Sequence, residues 1–221
     1  MKHLLERLSD ILGLGLPPFG MATVIVLLLY AIQAEIRFGA KARSHRSGER
    51  DRGSTILLSV ASLVPILGFA IIMKARSGGA LLGLSTGLPA WLLWPSSPHS
   101  IAVMGWSGVV LGLLGILLRL WAVLTLRERY TRTLLVHEAH SIERRGPYRV
   151  VRHPGYVGSL LTLNGIGLAS SSLAILLLSI ATTLAAYAYR VRVEDRMLID
   201  VFGEQYQSYR RQVAGLIPFV L

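Results

Sequence analysis

Apolar residues run over membrane-length distances in several parts of this chain. Phe19 to Ile36, Ser54 to Met73 and Ser100 to Leu126 each approach or exceed the roughly 20 residues a helix needs to cross a hydrocarbon core of about 30 Å. They are read as spans one to three. Gly155 to Tyr189 is too long for one straight span, and the polar Ala169-Ser170-Ser171-Ser172 in its middle predicts a tight turn. That stretch therefore reads as a helical hairpin supplying spans four and five, the first arm being short for a bilayer. Gly105, Gly108, Gly112 and Gly115 recur at the small-residue spacing of closely packed membrane helices. At the beginning, Leu4, Leu5, Leu8, Ile11 and Leu12 recur at helical spacing, which predicts a short interfacial helix. Glu6 and Asp10 interrupt that segment, so it does not read as a cleavable signal.

Gly79 to Trp94 is too short for a span and is broken by Gly83, Gly87 and Pro89. Charge gives its reading. Arg37, Lys41, Arg43, Arg46, Arg50 and Arg52 precede span two, while Arg127, Arg129, Arg132, Arg144, Arg145, Arg149 and Arg152 precede the hairpin. Basic loops favour the cytoplasmic side, and both clusters share a side only if Gly79 to Trp94 does not cross. It is read as a re-entrant or interfacial segment, with Trp91 and Trp94 at a membrane boundary. The topology is five spans, with the N-terminus outside and the C-terminus inside; Lys2, Arg7, Lys74 and Arg76 run against the rule.

Composition narrows the chemistry. With 221 residues, 52% of them hydrophobic, the chain reads as an all-α polytopic membrane bundle. Residues 1–126 hold the N-terminal spans, and residues 127–221 hold a polar loop, the hairpin and a C-terminal interfacial helix. The formal charge of +11 resides between the apolar runs, as membrane topology requires, and argues against a nucleic-acid partner. The chain has no cysteine, which excludes disulfides, thiolate nucleophiles and cysteine metal ligands. His137, Glu138 and His140 do not make a metal set, so no metal is expected.

The stretch from Gly146 to Gly158 packs two arginines, a histidine and two tyrosines directly before the hairpin. A hairpin returns the chain to the side it left. Arg190 and Glu194, on the helical continuation of span five, therefore come back beside Arg152, His153 and Tyr156. Arg190 and Glu194 are four apart and share a helix face, which by itself is equally the pattern of a solvated pair. Charge converging at a bilayer boundary instead points to a ligand site. The other residues also carry plainer readings. His153 stabilises a loop, Tyr148 and Tyr156 anchor at the interface, and Arg119 is either functional or reaches the headgroups. Phe202, Tyr206, Tyr209 and Val213 form a stripe expected to lie on the membrane surface.

About Arg119 to Val213 resembles the isoprenylcysteine carboxyl methyltransferase and phospholipid methyltransferase group of integral membrane enzymes. The motifs that carry the resemblance are Gly146-Pro147-Tyr148, Arg152-His153-Pro154, Tyr156 and Gly158, followed by Glu194-Asp195 and Phe202-Gly203-Glu204-Gln205-Tyr206-Gln207-Ser208-Tyr209, in the family's order. Asp195 stands where relatives usually carry a second glutamate, and Arg127 where many carry glycine. The resemblance implies methyl transfer from S-adenosylmethionine to a lipid or other lipophilic acceptor entering from the bilayer, for example a prenylcysteine-like carboxylate. The implied donor site comprises His140, Gly146, Tyr148, Arg149, Arg152, His153, Pro154, Tyr156, Gly158, Glu194 and Asp195 on the cytoplasmic side. Glu194 and Arg190 take the catalytic roles, Arg190 orienting an anionic acceptor group. Two other classes remain: a sterol-type reductase using NADPH, against which stands the lack of a glycine-rich dinucleotide fingerprint, and a non-catalytic membrane scaffold.

Overall fold

The computed structural model describes residues 1–11, 16–38, 53–77, 88–126 and 142–216. Its helices are α1 (Lys2–Ile11), α2 (Pro18–Phe38), α3 (Ser54–Arg76), α4 (Pro98–Leu126), α5 (Pro154–Ala169), α6 (Leu173–Phe202) and α7 (Glu204–Gln212), with single 3-10 turns at Ala90–Leu93 and Gly146–Arg149. The fold is all-α, as expected; the β pairing among the described residues is one isolated bridge, Val151 with Ala214. By length and composition α3, α4 and α6 can each cross a membrane, and Pro18–Gln33 of α2 is a shorter apolar helix. α5 has 16 residues, matching the expected short arm. The protein is a multi-pass membrane bundle.

The burial pattern suits a lipid environment. Ile56, Val60, Leu63 and Leu67 on α3, Val110, Leu114 and Leu117 on α4, and Leu177 and Leu184 on α6 point outward. Ser159, Thr162, Ser179 and Thr183 are buried between helices. Large apolar groups gain nothing by leaving lipid, so small and hydroxylated residues make the helix contacts. Asn164 joins α5 to α6 through Thr183 (3.1 Å) and accepts from the Ser179 hydroxyl (2.9 Å).

The glycine series on α4 meets a second series on α5. A Cβ at Gly115 would lie 2.5 Å from the Gly158 carbonyl and the Thr162 nitrogen, and one at Gly158 would lie 2.7 Å from the Arg119 nitrogen. Gly108 faces the Gly165 carbonyl and Ala169 in the same way. The two backbones touch along most of α5, which fixes where the short arm begins and hence where its preceding loop sits.

Both flanks of the segment read as re-entrant or interfacial lie at one end of the bundle. Arg76, ending α3, donates to the carbonyl of Ser171 in the hairpin turn at 2.9 Å, and the Ser171 hydroxyl donates to the Ile101 carbonyl at the start of α4 at 2.9 Å. Ser172 donates to the Leu92 carbonyl (2.5 Å), so the described residues 88–97 join the same cap. Residues 79–87, with the first basic loop and residues 127–141, lie outside the described residues.

Candidate active site

At the opposite end, the chain enters α5 through a loop whose conformation follows from its sequence. Gly146 adopts φ +56°, a region that favours glycine, and Pro147 starts the 3-10 turn with its fixed φ. Pro154 occupies the first turn of α5, where its missing N–H costs no helical hydrogen bond. Between them, Arg152 and His153 donate their backbone N–H groups to the carbonyls of Ala214 (2.8 Å) and Gly215 (3.2 Å). The chain's C-terminal stretch thus runs along the loop as a strap.

The side chains then close on α6. Arg152 donates to Asp195 Oδ2 at 3.2 Å and to the carbonyls of Arg210 (3.0 Å) and Val213. His153 Nε2 is 2.9 Å from Asp195 Oδ1, and its Nδ1 is 3.9 Å from Glu194 Oε2. The His153 ring stacks on Tyr156, centroids 5.5 Å apart and planes within 8°. Tyr156 donates its phenol proton to Glu194 and accepts from Arg190 Nε at 3.1 Å. Arg190 also donates to Ser54 Oγ (2.6 Å) and Thr55 Oγ1 (3.2 Å), tying the start of α3 to the site.

The distribution of exposure separates the two acids. Asp195 and its partners Arg152 and His153 are buried, whereas the Glu194 side chain keeps 24% of its surface open. A carboxylate accepting hydrogen bonds from an arginine, an imidazole and a phenol is favoured in its ionised form. Tyr206 is that phenol, 2.5 Å from Asp195 Oδ1. Burial, and then the Asp195 charge, push the Tyr206 phenol up, so it stays a donor. Burial also pushes Tyr209 up to about 12, and its hydroxyl donates to the Tyr148 carbonyl at 2.5 Å.

The expectation that Tyr206 and Tyr209 lie on the membrane surface is corrected here. Both are 3% exposed and turn inward, because their hydroxyls satisfy a buried carboxylate and a loop carbonyl that water does not reach. Arg119 does not reach toward headgroups either. It is buried, donates to Ser159 and lies over the Tyr30 ring, 5.5 Å from its centroid. Of the remaining expected site residues, Tyr148 and Pro154 are buried in the loop, Gly158 forms the contact with α4, and Gly146 and Arg149 are exposed. His140 lies outside the described residues. Sequence reasoning missed Ser54, Thr55, Ala214 and Gly215, which bear no chemical signature. Tyr206 carried one, since two tyrosines three apart on an otherwise polar short helix mark an inward face.

The site is a loop of one motif locked to an acidic pair about 40 residues later, at one end of a multi-pass helical bundle. Residues 103–205 match the family model described as phospholipid methyltransferase. A protein from Oryza sativa subsp. indica named "Probable protein-S-isoprenylcysteine O-methyltransferase" is 30% identical over 118 residues, covering 51% of this chain and 60% of that protein. Protein-S-isoprenylcysteine O-methyltransferase A of Arabidopsis thaliana is 27% identical over 152 residues, covering 68% and 77%. Cobalt-zinc-cadmium resistance protein CzcN of Cupriavidus metallidurans is 33% identical over 114 residues, covering 50% and 49%. The structure of the eukaryotic intramembrane Ras methyltransferase ICMT aligns over 92% of this chain and 66% of that one, with TM-score 0.58 and 21% identity. The chain is thus similar, over residues 103–205, to the phospholipid methyltransferase family model, and to the named isoprenylcysteine O-methyltransferases. It spans about 60% of the length of the rice relative it matches.

Proposed function

We propose that the loop and acidic pair bind S-adenosylmethionine and that the chain transfers its methyl group to a lipophilic acceptor held in the membrane, a prenylcysteine-like carboxylate foremost. The observation that carries this reading is the meeting of Arg152-His153-Pro154 with Glu194-Asp195 beside the stacked His153 and Tyr156 rings. When bound, the cofactor supplies a methyl group already activated on a sulfonium.

The residues fit such a group. Glu194 offers a partly open carboxylate for an ammonium, and Arg152 Nε is a buried donor with no partner among the described residues, suited to a carboxylate. Tyr156 and His153 offer ring surface to a cation. Gly146, Tyr148 and Arg149 shape the approach, Pro154 and Gly158 set the start of α5, Asp195 fixes Arg152 and His153, and His140 belongs to the loop that precedes them. A carboxylate acceptor needs no general base. The protein's work is then alignment and exclusion of water, with Arg190, fixed by Tyr156, Ser54 and Thr55, orienting the acceptor's anionic group. The basic loops support a reading in which this end lies at the cytoplasmic face and the N-terminus outside.

Calorimetric titration of the detergent-purified protein with S-adenosylhomocysteine and, separately, NADPH tests the reading. Saturable binding of S-adenosylhomocysteine alone is expected; binding of NADPH alone moves the chain to reductase chemistry, and binding of neither removes the donor site.

A further inference from the structure

The acidic pair is held from outside the hairpin. Asp195 Oδ1 lies between two donors, His153 Nε2 at 2.9 Å and the Tyr206 hydroxyl at 2.5 Å, while Oδ2 takes Arg152 at 3.2 Å. Tyr206 sits on α7, just beyond the turn at Gly203, which adopts φ +53°. That helix is anchored independently. Tyr209 bonds the Tyr148 carbonyl, Arg144 lies over the Tyr209 ring at 5.3 Å from its centroid, and Arg152 caps the carbonyls at the end of α7. The phenol is therefore delivered to Asp195 in a fixed place.

Rotation of Asp195 would release His153 and Arg152 together. His153 would lose the partner that holds its ring parallel to Tyr156, and Tyr156 is the group that binds Glu194. One hydroxyl thus stands behind both sides of the site, though it belongs to neither.

We propose that Tyr206 is a positioning residue for the donor site: its hydroxyl holds Asp195 in the orientation that presents Arg152, His153 and, through Tyr156, Glu194. This rests on the donor-site reading above.

The test is S-adenosylhomocysteine affinity in the full chain for the wild type, Tyr206→Phe, Asp195→Asn and the double variant, with thermal midpoints measured alongside. Tyr206→Phe should weaken binding about tenfold, the scale of one hydrogen bond to a charged group. In the Asp195→Asn background the same substitution should change affinity by less than about twofold, because coupled sites are not additive. Tyr209→Phe, which removes the neighbouring inward hydroxyl, controls for destabilisation of α7.

A pH series supplies a readout that packing alone would not move. The groups facing Asp195 are Arg152 and His153 from the loop, Tyr206 and, at 3.8 Å, Arg210 from α7, with Glu194 adjacent in sequence. Removing one donor makes the carboxylate easier to protonate, so the loss of affinity on acidification should begin at higher pH in Tyr206→Phe. An unchanged acid limb, additive effects with Asp195→Asn, or equal losses in Tyr209→Phe at equal thermal midpoint would each overturn the role of Tyr206. Absence of binding in the wild type would instead overturn the donor-site reading on which the role depends.

Discussion

Two arginines at opposite ends of the bundle begin with the same task. Arg76 donates to three carbonyls, those of Leu93 (2.7 Å), Pro95 (3.0 Å) and Ser171 (2.9 Å), and so ties the hairpin turn to the segment before α4. Arg152 likewise gathers the carbonyls of Arg210 and Val213, closing the C-terminal strap. The difference lies in what each guanidinium faces next. Among the described residues Arg76 bonds neutral carbonyls, whereas Arg152 meets Asp195 and, through it, a histidine, a phenol and a second acid. Capping chain ends at a bilayer boundary requires only a multiple donor; carboxylates and stacked rings around that donor make a site that a charged ligand can enter.

The comparison breaks most sharply at Arg152. Arg152→Ala leaves Asp195 buried without its guanidinium and the strap carbonyls without a donor, so a loss of about 3–5 kcal/mol is expected. Denaturation in detergent should show the drop in thermal midpoint, and S-adenosylhomocysteine binding should vanish with it. Arg76→Ala should cost less, about 1–2 kcal/mol, since the carbonyls it frees are neutral and no charge is stranded. Its distinguishing result is donor-analogue affinity unchanged within about twofold, and a larger loss would mean that the two ends are coupled.

Glu194→Gln sharpens the contrast from the ligand's side. The open carboxylate is not part of the buried clamp, so the thermal midpoint should hold while S-adenosylhomocysteine affinity falls about tenfold, the loss of one charge-assisted contact. Unchanged affinity would remove Glu194 from the donor site. The smallest effect is expected on the alkaline limb. Tyr209 is pushed up to about 12, so its contribution to stability is present below pH 10, where the unfolded phenol begins to ionise, and is lost as pH rises toward 12. Tyr209→Phe should flatten that part of the stability profile, and an identical profile would place the loss elsewhere.

Much of this was legible in the residues. The spacing of apolar runs located the helices, and Ala169-Ser170-Ser171-Ser172 marked the hairpin turn because three consecutive serines supply their own turn hydrogen bonds. The glycine series announced close packing, although only the structure paired Gly115 with Gly158 and Gly108 with Gly165. Tyr206 and Tyr209 were legible as a stripe yet were assigned to the wrong side. A tyrosine suits an interface and a buried carboxylate equally well, and periodicity does not say which is nearby.

By itself the sequence determined the membrane-length helices and the residue types available for chemistry, because these depend on local composition and on distance along the chain. Which acid is clamped and which stays open, which hydroxyls serve Arg190, and what holds the loop were decided by tertiary structure alone. Asp195 and Glu194 are neighbours of nearly identical chemistry. A helix turns about 100° between them, and only the packing of α7 and the strap makes one direction buried and the other open.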